Sequence, residues 1–163
     1  MQNVDGADGL LSIAKYLKDD GAIIDFCKHQ FDKELTVAVG DLPRLKIPTV
    51  KETPYIVLTD FAKKEGLNIE FNNYKFNLYV GVGSDKVEYV DDNGILIPDL
   101  YDVGSHFMTL IQDELNKRRN YDRPISYLIT DGPYPVDPAG KHWAGRMTIN
   151  LRINTTIGGD ETL

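Results

Sequence analysis

The run from Trp143 to Ile153 constrains this chain more than any other. Met147, Ile149, Leu151 and Ile153 fall on one side of it, and Arg146, Thr148, Asn150 and Arg152 on the other. Strict period-two alternation marks a strand with one face in a core and the other wet or against a partner. A second β-rich run, Ile125-Ser126-Tyr127-Leu128-Ile129, precedes it, and the two are joined by a loop rich in proline and glycine up to Gly140. The last third of the chain therefore reads as two strands joined by a loop, and a fold is needed that covers one face of them.

The rest of the sequence supplies the cover. Residues 99–119 carry Leu100, Val103, Phe107, Leu110, Ile111 and Leu115 at three- and four-residue steps, the stripe of a long amphipathic helix, with Pro98 at its entrance. Gly104 interrupts that helix at about 1 kcal/mol relative to Ala, which suggests close packing against a strand. Residues 7–19 predict a helix with Leu10, Leu11, Ala14 and Leu17 on one face, Asp8 as cap and Gly21 as terminator; residues 22–31 predict a second, short one with Ile23, Ile24, Phe26 and Cys27 inward. Strands are expected at 35–39, 54–59 and 74–82, the last with Tyr74, Phe76, Leu78, Val80 and Val82 on one face. Residues 42–53, with Pro43 and Pro48, read as an extended connection, and 60–73 as a polar excursion. Asn93-Gly94 is a strong type I′ signal, so Val87 to Val90 should pair with Ile95 to Ile97 in a protruding hairpin. The expected class is α+β: a mostly antiparallel sheet packed on one main helix plus an N-terminal helix, with a protruding hairpin. The expected organisation is one domain over residues 1–163: an N-terminal helical segment at 1–34, an α+β core at 35–154 and a frayed tail at 155–163.

A length of 163 residues is enough to bury a real core. The net charge of -7 argues against non-specific nucleic-acid binding, which rests on Lys and Arg neutralising phosphates, and against an anionic membrane surface. The cluster Lys117-Arg118-Arg119 with Arg123 reads as a solvated helix end, where cations suit the dipole. The single cysteine, Cys27, excludes an intrachain disulfide and reads as a small buried apolar residue. No apolar run approaches membrane-spanning length, and the first residues lack the pattern of a signal peptide, so a cytoplasmic product is expected.

Catalytic signals are sparse. Gly81-Val82-Gly83-Ser84 lacks the further glycine and helix of a dinucleotide fingerprint, and there is no phosphate-cradling Lys-Ser or Lys-Thr loop. His29, His106 and His142 are scattered without zinc-ligand spacing, so no metal is expected, and no cofactor. Asp131 and Asp137 offer a carboxylate pair for a small hydrolase, with His142 beside them, but Asp131-Gly132-Pro133 and Asp137-Pro138 are equally turn signatures. The aromatic residues near loops and strand starts, among them Tyr134 and Trp143, suit an interface; for Trp143 a place in the core is an equal reading.

The order of these segments resembles the tail terminator (tail completion) proteins of long-tailed bacteriophages. The resemblance runs from Leu35 to Ile153: Thr36-Val37-Ala38-Val39-Gly40-Asp41, then Pro54-Tyr55-Ile56-Val57-Leu58, the alternating strand to Val82, the striped helix, and Trp143-Ala144-Gly145-Arg146 opening the last strand. The longer N-terminal region and the hairpin at Asn93-Gly94 depart from it. The resemblance implies a non-enzymatic structural protein: a hexameric ring on the end of the tail tube that stops its polymerisation and offers a docking face to the head–tail connector. A neck or head-completion adaptor is the neighbouring reading. Partners would be other copies of the chain, the tail tube protein and the connector, with DNA passing the lumen without specific binding and no membrane involved. The place would be the virion tail or neck, after assembly in host cytoplasm. The ring contact is expected at sheet edges and the hairpin, with Trp143, Arg146, Tyr134, Asn93 and Tyr89 as interface candidates.

Overall fold

The long alternating runs pair with each other. The computed structural model describes residues 6–40, 53–64, 71–119, 125–128, 134–135 and 141–154. Its elements in chain order are α1 (Gly6–Asp19), α2 (Gly21–Phe31), β1 (Thr36–Val39), β2 (Tyr55–Lys64), β3 (Phe71–Gly83), β4 (Tyr89–Asp92), β5 (Ile95–Pro98), α3 (Asp99–Arg119), β6 (Ile125–Leu128), β7 (Tyr134–Pro135) and β8 (His142–Asn154). Strands β1-β2-β3-β8-β6 form one sheet in that order, with β7 also on β8; β4 and β5 form a separate two-stranded ribbon. Only the β1–β2 pairing is parallel among these. The central ladder runs from Phe71 opposite Asn154 to Gly83 opposite His142. The chain is thus α+β, with a mostly antiparallel sheet, as expected.

All three helices lie on the sheet face that carries Ile56, Leu58, Phe76, Leu78, Val80, Met147 and Ile149. Ile13, Leu17 and Ile23 from α1 and α2, and Phe107, Ile111 and Leu115 from α3, complete this core. Each such side chain contributes roughly 1.5–3 kcal/mol when fully buried. The Phe107 ring stacks on Phe26 at 5.4 Å, with Phe31 edge-on at 6.3 Å, and so joins α2 to α3. Tyr16 adds a polar tie by donating its hydroxyl to the Glu114 carbonyl at 3.1 Å.

Several boundaries differ from the sequence expectation. Asp8 lies inside α1 rather than capping it, and Gly21 opens α2 instead of ending α1. Asp20 separates the two helices: its carboxylate accepts from the Ile23 N–H at 3.0 Å, a ready N-cap. Residues 60–64 and 71–73 belong to β2 and β3, not to a polar excursion. The backbone ladder continues through polar residues there because β8 offers a partner along the whole of β3, and a register shift between Thr59 and Ala62 absorbs the break in alternation. The expected connection at 42–53 lies, but for Thr53, outside the described residues, as does the tail at 155–163.

Candidate interaction surface

The β4–β5 ribbon stands off the main sheet. Its turn has Asn93 at φ 54° and Gly94 at φ 81°, the two left-handed positions of a type I′ turn. The Asp91 carboxylate accepts from the Gly94 N–H at 3.1 Å and braces that turn. Cross-strand partners are Tyr89 with Pro98, Val90 with Ile97, Asp91 with Leu96 and Asp92 with Ile95. At the base, the Asp99 N–H donates to the Glu88 carbonyl at 2.7 Å, and the Asp99 carboxylate accepts from the Glu88 N–H at 3.1 Å. The ribbon is therefore fastened to the first residue of α3.

Side chains alternate across a ribbon, so Leu96 and Ile95 point to opposite faces, and both faces are apolar and wet. Tyr89 is 65% exposed, Ile95 62% and Leu96 69%; Val90 and the nearby Tyr101 are exposed as well. Two strands alone bury too little to be stable in water, and a ribbon with apolar side chains on both faces gains most when a second surface covers it. From Val87 to Tyr101 the chain carries Glu88, Asp91, Asp92 and Asp99 and no Lys or Arg, so this surface is apolar with an acidic fringe.

A second open feature lies beside α2. The sequence placed Ile24 inward, yet it is 44% exposed. The helix presents Ile23 and Cys27 to the core, and Ile24 turns one step beyond that stripe. It lines a groove of about 490 Å³ with Leu35, Lys18, Lys28 and Lys33, edged by Asp19, Asp32 and Glu34.

Of the five interface candidates, Tyr89 and Asn93 stand on the exposed hairpin. Trp143 does not belong to the open surface: it is 3% exposed, packed under α3. Gly104 is the reason it fits, because a Cβ there would clash with the indole ring. Its Nε1 is buried without a hydrogen-bond partner among the described residues. Arg146 is half-buried on the sheet face away from the helices, opposite Tyr79. Tyr134 contributes backbone pairing to Ala144 in β7.

The sheet face away from the helices holds its own polar order. Tyr55 Oη and His142 Nε2 share a buried hydrogen bond of 2.9 Å, and the Tyr55 ring lies against Gly81. Thr148 donates to the Asn77 side chain at 3.0 Å. His142 is thus committed to Tyr55, while Asp131 and Asp137 lie outside the described residues. His106 sits on the solvent side of α3, 3.7 Å from the Asp102 carboxylate. Among the described residues no cluster of three His, Cys, Asp or Glu side chains has the geometry to hold a metal ion.

The sequence reading missed Ile95 and Leu96 as surface residues and Ile24 as a groove wall. The signal was present for the first two: Ile95-Leu96-Ile97 is an unbroken apolar run in a short strand, which leaves no polar face. For Ile24 there was none, since helical periodicity admits it to the stripe. The chain matches no family model, and no curated protein matches it.

Proposed function

We propose that this chain is a structural, ring-forming assembly protein of the tail-terminator kind, which closes the end of a phage tail tube and presents a face to the head connector. The tail-terminator part of the reading rests on the segment order, and the observation that carries its assembly part is the β4–β5 hairpin, an addition to that order: a fastened ribbon, apolar on both faces, that a single copy leaves uncovered. Closed rings need a heterologous contact, in which one patch meets a different patch on the neighbour, and a projecting ribbon is suited to one side of such a contact. The acidic balance of -7 also suits a ring whose lumen must let DNA slide without holding it. The segment order supports the same reading.

The test is solution mass by light scattering across concentration, with negative-stain images of the same fractions, alone and with isolated tail tubes. A six-membered ring with a central hole, free or on tube ends, is the expected result. A chain that stays monomeric both alone and with tubes overturns the reading. Capture by tubes rather than by isolated connectors separates a terminator from a neck adaptor.

A further inference from the structure

The corner where α1 gives way to α2 is held on α3 by polar groups. Asp20 is the corner residue, half-buried, and its carboxylate caps α2 through the Ile23 N–H at 3.0 Å. Four residues earlier, Tyr16 donates its hydroxyl to the Glu114 carbonyl at 3.1 Å, which sets the last turn of α1 on the turn of α3 that carries Glu114. Glu114 is a carboxylate only 3% exposed. Lys117 donates to its Oε1 at 3.1 Å and stands 2.7 Å from its Oε2, off the line of a hydrogen bond. Oε2 is thus inside the protein with its charge balanced, and no described group aims a donor at it. A buried acceptor without a donor is costly. The group placed to supply one is the Asp20 carboxyl, which Glu114 reaches both as a charge and as a hydrogen-bond partner.

We propose that Asp20 and Glu114 share one proton, which closes a hydrogen bond from the Asp20 carboxyl to Glu114 Oε2 and ties the α1–α2 corner to α3, and that the tie opens as pH rises. The Lys117 ammonium lies on the Glu114 side of the pair, so the proton belongs to Asp20. From α3, Glu114 and Lys117 face the corner; from α1, Tyr16 does, and Lys15 and Asp19 line the adjoining cavity of about 440 Å³. The first turn of α2, Gly21-Ala22-Ile23-Ile24, carries no charge. Burial first, and then Glu114, raises the Asp20 carboxyl above its ordinary 3.8, against the Ile23 N–H and the Lys117 ammonium. A raised carboxyl contributes stability that is complete below the unfolded value and is lost as pH climbs through the folded one. The tie is therefore closed in acid and open above that folded value. Phe26 and Phe31 of α2 rest on Phe107, so the corner governs how firmly α2 sits on α3.

The tie needs no neighbouring copy, so its test is independent of assembly. The full chain, with side-chain carboxyl carbons labelled in Asp and Glu, is titrated by NMR. The Asp20 midpoint is expected above the ordinary value, with a step in the Glu114 resonance at the same pH. Glu114→Gln should lower the Asp20 midpoint, and Asp20→Asn should abolish the shared step. Hydrogen exchange of the α2 amides, corrected for intrinsic rate, supplies a second readout. Protection should fall as pH passes the Asp20 midpoint, by a factor up to the ratio of the unfolded to the folded acid constant of Asp20. Asp20→Asn carries an amide that can donate to Oε2 at every pH, so its protection should hold at the acid level throughout. Circular dichroism checks that each variant keeps its fold. An Asp20 midpoint that Glu114→Gln leaves in place assigns the shift to burial alone and overturns the shared proton. α2 protection that does not change with pH overturns the tie.

Discussion

Gly104 and Trp143 illustrate how much one methyl group decides. Helix propensity alone favours Gly104→Ala by about 1 kcal/mol. The added Cβ meets the Trp143 ring, so a net loss of about 1–3 kcal/mol is expected, seen as a lower urea midpoint. Trp143→Ala should cost about 3–5 kcal/mol, as a core truncation rather than a surface one. Asp20 behaves differently. Burial, then the nearby Glu114 carboxylate, raises its pKa above the ordinary value, against the lowering effect of the Ile23 N–H bond. A raised carboxyl pKa favours folding below the unfolded pKa, and that contribution is lost as pH climbs through the folded one. At neutral pH the charge on Asp20 therefore costs stability. Asp20→Asn keeps the cap and removes the charge; melting should rise by on the order of 1 °C at pH 7, with no gain near pH 3. Cys27 also has a defined chemistry: burial pushes its thiol up to about 12. Maleimide at neutral pH should leave it unlabelled in the folded chain and label it fully in denaturant.

At the level of elements, the hairpin separates stability from assembly. Ile95→Ser with Leu96→Ser changes only exposed side chains, so stability should stay within about 0.5 kcal/mol of the unsubstituted chain while the proposed ring assembly is lost by light scattering. The same ribbon shows what a sequence discloses. Asn93-Gly94 announced its turn because few residue pairs adopt two left-handed conformations, and α3 announced itself through a stripe repeated from Leu100 to Leu115. The alternating runs in β3 and β8 were equally plain. The extensions of β2 and β3 through residues 60–64 and 71–73 were not, because a polar stretch becomes strand only when a neighbour supplies the ladder. Trp143 and Ile24 were ambiguous for a related reason. The sequence gives an aromatic or aliphatic side chain, but whether it ends inside depends on another element, a glycine in α3 for one and the direction of α2 for the other.

For the whole molecule, the helices occupy one side of the sheet and leave the hairpin and the α2 groove as separate outward features. A ring of the proposed kind joins each copy to the next through unlike patches, so it has a direction, and directional joining either closes or runs on. The fastening at the hairpin base then acquires a mechanical meaning. The ribbon is a handle riveted at Glu88 and Asp99 to the front of α3, and five residues further along that helix presses on the Trp143 indole. A load applied to the handle would pass along that helix toward the one tryptophan in the chain. In the proposed assembly, engagement between neighbours should thus be audible from inside each subunit, as a change in indole emission that follows assembly and is weakened when Asp99→Ala removes the carboxylate half of the fastening and leaves its backbone bond.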